Sequence, residues 1–164
     1  VKKLFSALIV LLILFGFYAC KKEKQFDSIP AITFKSYALR EYVSGQGYFT
    51  DLKFTFTDGD GDIGLLDTET SPPYDTSSVF YYNCFIQRQK KINGVFTNVP
   101  SFNYRIPYVV PDSRNKNIEG EISVEVFYLD DTPNVADTMR LVFYIADRAL
   151  HLSNTITSEE LVLN

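Results

Sequence analysis

Apolar and polar residues alternate with a period of two in several short runs of this chain. Leu52, Phe54 and Phe56 alternate with Lys53, Thr55 and Thr57. Ile122, Val124, Val126 and Tyr128 alternate with Glu121, Ser123, Glu125 and Phe127. Met139, Leu141, Phe143 and Ile145 share one phase, and so do Phe80, Tyr82, Cys84 and Ile86 within Val79–Lys90. A strand sends successive side chains to opposite faces, so each run predicts a half-buried strand. Ala31–Lys35, Tyr37–Val43, Val95–Val99 and Thr155–Leu163 read as further strands. Phe102–Val110 is extended, with Pro107 marking a bend or an edge. Gly45-Gln-Gly47, Asn93-Gly94, 111–117, 130–134 and 147–154 supply the turns, and Asn93-Gly94 between two strand-like runs is a strong hairpin signal. The polar stretch 67–78, with two prolines, is a loop of a length common among mobile or functional segments. About seven to nine strands with connections too short for helical crossovers predict an all-β protein, a single antiparallel immunoglobulin-like β-sandwich over 31–164.

The first twenty residues break this pattern. Lys2 and Lys3 precede a nearly continuous apolar run from Leu4 to Phe17, the arrangement of a helical export signal and short for a membrane span. Phe17-Tyr18-Ala19-Cys20 follows and resembles a bacterial lipobox. That resemblance implies cleavage after Ala19, a diacylglycerol on Cys20 and a signal peptide over 1–19. An uncleaved single-span anchor and an ordinary secretory signal are the alternatives. Residues 20–30 then form the lipidated cysteine and a charged, flexible tether, in which Lys21–Ser28 could reach roughly 25–30 Å at full extension. Lys21 stands where an Asp would resemble an inner-membrane retention signal, so the outer membrane is expected, on its periplasmic or cell-surface side.

Composition narrows the partners. The 164 residues are 46% apolar and 15% aromatic, enough for a core, and carry 20 acidic against 16 basic side chains. Two of the lysines lie in the leader, so the remainder is more acidic still. No basic patch interleaved with aromatics is present, which argues against nucleic acid. Of the two cysteines, Cys20 has its use in lipidation, so no disulfide is expected. Cys84, in phase with apolar neighbours, is expected to be a small buried hydrophobe.

The segment 144–154, Tyr-Ile-Ala-Asp-Arg-Ala-Leu-His-Leu-Ser-Asn, resembles the last hairpin of bacterial immunoglobulin-like and fibronectin-III-like domains, with Leu150-His151 in place of their usual Gly-Asn. Together with the lipobox, the run Phe56-Thr-Asp-Gly-Asp-Gly-Asp-Ile-Gly64 and the Asn93-Gly94 hairpin, it makes most of the chain similar to outer-membrane lipoproteins of the Bacteroidota. That resemblance implies a membrane-anchored envelope protein and assigns no activity.

The densest chemistry in the body is the acidic loop. Asp58, Asp60 and Asp62 alternate with glycines, a spacing that can turn three hard oxygens onto one calcium ion. Asp67, Asp75 or Asp130 could complete such a site. The other reading is a solvated Asp-Gly turn. The loop is not an EF-hand, because Ile63 stands where that loop needs glycine and prolines follow where a helix should. It also spells G-x-G-x-x-G over 59–64, but acids at the variable positions would repel a pyrophosphate and no helix follows.

Catalysis has less support. His151 is the single histidine and is expected to face solvent in a loop. No nucleophile elbow, zinc-binding helix or cysteine–histidine pair is spelled out. Asp130-Asp131 and Glu159-Glu160 are adjacent acids, and Tyr81, Tyr82, Tyr104 and Tyr108 could stack on a sugar or simply cover sheet surfaces. The expectation is a non-enzymatic binding or structural module, calcium-stabilised if the acidic loop holds an ion, with an envelope protein or a glycan as partner. The alternative is a surface hydrolase or glycan-handling accessory that uses the carboxylates.

Overall fold

The structure, a computed structural model, describes residues 24–41, 48–111, 116–127 and 138–162. The signal peptide, Cys20, the Gly45–Gly47 turn, Tyr128 and the 130–134 turn with Asp130 lie outside the described residues. Among those described, no helix is long and apolar enough to cross a membrane.

Among the described residues, eight strands form two antiparallel sheets: β1 (Ala31–Glu41), β2 (Tyr48–Asp58), β3 (Cys84–Ile92), β4 (Val95–Val99), β5 (Ile118–Phe127), β6 (Thr138–Ile145), β7 (Ile156–Thr157) and β8 (Leu161–Val162). One sheet runs β1-β2-β5, the other β4-β3-β6-β7 with β8 also on β6. The fold is the expected immunoglobulin-like β-sandwich.

The inward phases meet as the alternation requires. Leu52, Phe54 and Phe56 of β2 and Val124 and Val126 of β5 face Cys84 and Ile86 of β3 and Leu141, Phe143 and Ile145 of β6. Phe54 and Phe143 touch across the gap with ring centroids 5.2 Å apart. Burying each such side chain contributes about 1.5–3 kcal/mol, which makes this layer the main source of stability. Cys84 is fully buried, as expected, and burial pushes its thiol up to about 12, so it is inert at neutral pH.

Three strand expectations need correction. The runs at 31–35 and 37–43 have opposite phases, yet β1 is one strand through Glu41. Its register slips between Phe34 and Ser36, and this bulge at Lys35 lets Ile32, Phe34 and then Tyr37 all reach the core. Val79–Tyr82 is not strand: Ser78 caps a 3-10 turn over Val79–Tyr81, its hydroxyl accepting the Phe80 N–H, and Tyr82 is exposed. The strand begins at Cys84. Thr155–Leu163 is not one strand either. Between β7 and β8, the backbone of Ser158 donates to Leu141 O while its hydroxyl accepts the Leu141 N–H. Ser153 does the same with Ile145. Two serine side chains thus take the place of ladder bonds, Ser158 dividing the closing segment and Ser153 standing before it.

Phe102–Val110 crosses between elements without forming a strand. Tyr104 exchanges backbone bonds with Cys84, and 106–109 runs beside 63–65, with Leu65 N–H donating to Ile106 O and Tyr108 N–H to Leu65 O. Pro107, which lacks an N–H, sits where none is needed. The long 67–78 loop is tied down: Arg105 donates to the carbonyls of Leu66, Glu69 and Tyr81, and Arg148 pairs with Glu69.

Candidate metal centre

Past Phe56, the next inward position on β2 is Asp58. Past Ile145, the next in phase on β6 is Asp147. The two core strands, one from each sheet, therefore both run out of apolar side chains at the same end of the sandwich and continue with an acid. Asp58 is 0% exposed and Asp147 2%. The backbone stitches the ends together: Ile63 bridges to Asp147, and the Arg148 N–H donates to Asp62 O at 3.1 Å.

Carboxylate oxygens of Asp58, Asp62 and Asp147 lie within 4.8 Å of one another. Each acid is held by the backbone on one side. Asp58 Oδ2 accepts the N–H groups of Gly61 (2.8 Å) and Asp62 (3.0 Å), and Asp62 Oδ2 accepts that of Ala149 (3.0 Å). Asp147 Oδ1 accepts the His151 N–H at 2.7 Å, and its Oδ2 pairs with His151 Nδ1 at 2.9 Å. The three loop acids each keep an unsatisfied oxygen: Asp58 Oδ1, Asp60 Oδ1 and Asp62 Oδ1 are buried and accept no hydrogen bond. A buried acceptor without a donor costs about 1–3 kcal/mol, more when charged.

The electrostatics carry the same imbalance. Burial, with the charges of Asp60 and Asp147 adding to it, pushes Asp58 up to about 6, while N–H bonds from Asp62 and Gly61 pull the other way. Burial followed by the charges of Asp147, Asp60 and Asp58 pushes Asp62 up to about 6. The Asp147 hydrogen bond and charge raise His151. Asp58, Asp60, Asp62 and Asp147 thus share one space, where neighbouring negative charge opposes the ionisation of Asp58 and Asp62.

The glycines explain the loop's spelling. A Cβ at Gly59 would overlap Phe26 O and come within 2.8 Å of the Asp27 carbonyl carbon. At Gly64, whose φ is +87°, a Cβ would lie 2.6 Å from the Pro107 carbonyl carbon. Acids point in at alternate positions while the glycine backbone between and beyond them is crossed by other segments.

Of the acids expected from the sequence, Asp58 and Asp62 come together, and Asp60 stands close enough for its charge to act on both. Asp67 is exposed, and Asp75 accepts hydrogen bonds from Ser77. The residue that joins from elsewhere among those described is Asp147. The signal for it was present in the alternation, since Asp147 continues the inward phase of Met139–Ile145. His151 is exposed, as expected, but its ring is committed to Asp147. The tyrosines have separate duties: Tyr81 and Tyr82 meet edge to face, Tyr104 packs on the core, and Tyr108 lies under the Arg148 guanidinium.

The donor set is all carboxylate, with no thiolate and with its one imidazole turned to an acid. Hard oxygens of this kind suit calcium or magnesium and not zinc or copper. Calcium–oxygen bonds of 2.3–2.6 Å place oxygens on opposite sides of the ion about 4.6–5.2 Å apart, which matches the spread of this cluster.

Comparison of the chain with protein-family models, with curated proteins and with solved structures gives no match. The class is thus defined by fold and site: an immunoglobulin-like sandwich with an acidic centre between the ends of its two sheets.

Proposed function

We propose that this protein is a lipid-anchored module of the outer membrane, attached through Cys20, that acts without catalysis as a binding or structural element and is stabilised by one calcium ion. The observation that carries the calcium part is the set of buried carboxylate oxygens of Asp58, Asp60 and Asp62 that accept no hydrogen bond. A divalent cation held by these three residues and Asp147 would satisfy them, offset the mutual repulsion of the acids and pin the two sheets together. The expected affinity is that of extracellular calcium modules, in the range of about 10⁻⁴–10⁻³ M, which suits an envelope protein.

The anchoring part is supported by the lipobox-like 17–20 segment; the tether behind it, expected to be flexible, lies against the sandwich from Lys24 onward. Lys24 pairs with Glu119 at 3.0 Å and the Phe26 N–H donates to Asn117 Oδ1 at 2.8 Å. Mass spectrometry of the protein from bacterial membranes is expected to find acyl chains on Cys20 as the first residue. An unmodified Cys20 or a secreted product overturns the anchor.

A surface hydrolase or glycan-handling accessory would draw on the same carboxylates. The near-complete burial of Asp58 and Asp147 favours an ion over a polymer in this place. Hydrolysis of a polysaccharide panel that disappears in Asp62→Asn would reverse that preference.

A further inference from the structure

We infer that occupancy of the acidic centre by a divalent cation controls whether the membrane tether is docked on the sandwich. This rests on the calcium reading above and goes further, because it assigns the ion a role in how the domain is held over the membrane. The Gly59 N–H donates to Asp27 O at 2.8 Å, and Gly59 lies between Asp58 and Asp60. Its missing side chain is what lets Phe26 and Asp27 lie directly on the loop. The same turn of chain therefore faces the ion site with its carboxylates and the tether with its backbone.

Removing the ion leaves Asp58, Asp60, Asp62 and Asp147 facing one another. Asp58 ends β2, and Asp62 and Asp147 are held to each other's segment by the Ile63–Asp147 bridge and the Arg148–Asp62 backbone bond. Relief comes from moving Asp60, which shifts the adjoining Gly59 away from Asp27. The docking that remains is the Phe26–Asn117 bond, 91 residues apart in sequence, and the exposed Lys24–Glu119 pair. Exposed ion pairs contribute little. With the ion bound, the chain is held from Phe26 onward and the domain stays within about 20 Å of Cys20. With the tether released to Pro30, that reach grows to about 35 Å at full extension.

The test is limited trypsin digestion of the purified protein with its tether intact, in calcium chloride and in EDTA. Cleavage of the Lys24–Gln25 bond is followed by mass spectrometry, and calcium uptake is measured in parallel by calorimetry. Circular dichroism is used to choose a temperature at which both samples remain folded. Calcium is expected to slow this cleavage at least tenfold. In Asn117→Ala, which removes the acceptor of the Phe26 N–H without touching the acidic loop, the tether should be cut faster in calcium while calcium uptake persists. Gly59→Ala removes the dock from the loop side and should be cut rapidly in calcium and in EDTA alike. Calcium uptake with no change in cleavage overturns the inference and leaves the calcium site standing. No calcium uptake overturns both.

Discussion

The Asn93-Gly94 turn and the Asp58–Gly64 loop use the same residue types in opposite surroundings. At the β3–β4 hairpin, Asn93 and Gly94 have φ of +50° and +82°, the signs a type I′ turn requires, and a Cβ on Gly94 would meet nothing within 4 Å. Glycine is there for its backbone alone. At the acidic loop, glycines are there because other chain segments lie on them, and the polar residues between them point into the protein. An Asp-Gly spelling is normally read as a solvated turn. Here the neighbours decide: the loop continues a core strand, so its first acid inherits the inward phase.

The largest effect that separates the two regions is steric. Gly64→Ala combines a left-handed backbone with overlap against Pro107, and together these should cost roughly 3–5 kcal/mol or prevent folding. Denaturant titration would measure it, and a loss of no more than about 1–2 kcal/mol, the cost of the left-handed backbone alone, would show that the loop is as open as the hairpin. Calcium comes next. At a free concentration about a hundred times its dissociation constant, the ion should add about 2.7 kcal/mol, on the order of 10 °C in Tm. Asp58→Asn and Asp147→Asn should abolish that gain, whereas Gly94→Ala should leave it intact.

Proton linkage gives a third contrast. In EDTA, Asp58 and Asp62 have folded values of about 6 against an ordinary 3.8. The unfolded chain releases those protons from about pH 4 upward, while the folded protein keeps them until about pH 6. Stability in EDTA should therefore fall as pH rises across this window and level off above it. Bound calcium needs the ionised acids, so its stabilising effect should grow over the same window. Thermal melts from pH 4 to 7.5, with and without calcium, check both signs. The smallest effect is Gly94→Ala itself, whose positive φ should cost about 1–2 kcal/mol in the same denaturant titration with no change in calcium response.

Much of the fold was legible because burial on one face writes itself as alternation. Leu52–Phe56 and Met139–Ile145 needed no other information. The alternation misled at Phe80 and Tyr82, where aromatic spacing of two belongs to a capped turn. It also could not foresee Ser153 and Ser158, which replace ladder bonds with side-chain oxygens and end strands that composition would continue. Leu150 shows a related limit. It occupies the left-handed region at φ +69°, where glycine would be the easier residue, so the turn keeps its shape without the residue that usually marks it. At the site, Asp58, Asp60 and Asp62 could be read from local spacing. Asp147 could not be joined to them that way, because the contact is made between two sheets and 85 residues of chain separate it from Asp62.

The most direct test of the account is isothermal titration of calcium into the metal-depleted protein, with Asp58→Asn beside it. The account predicts one saturable site per chain in the original protein, with an affinity in the millimolar to submillimolar range, and no site in the variant. A flat titration of the original protein at millimolar calcium, or equal binding by Asp58→Asn, would contradict it.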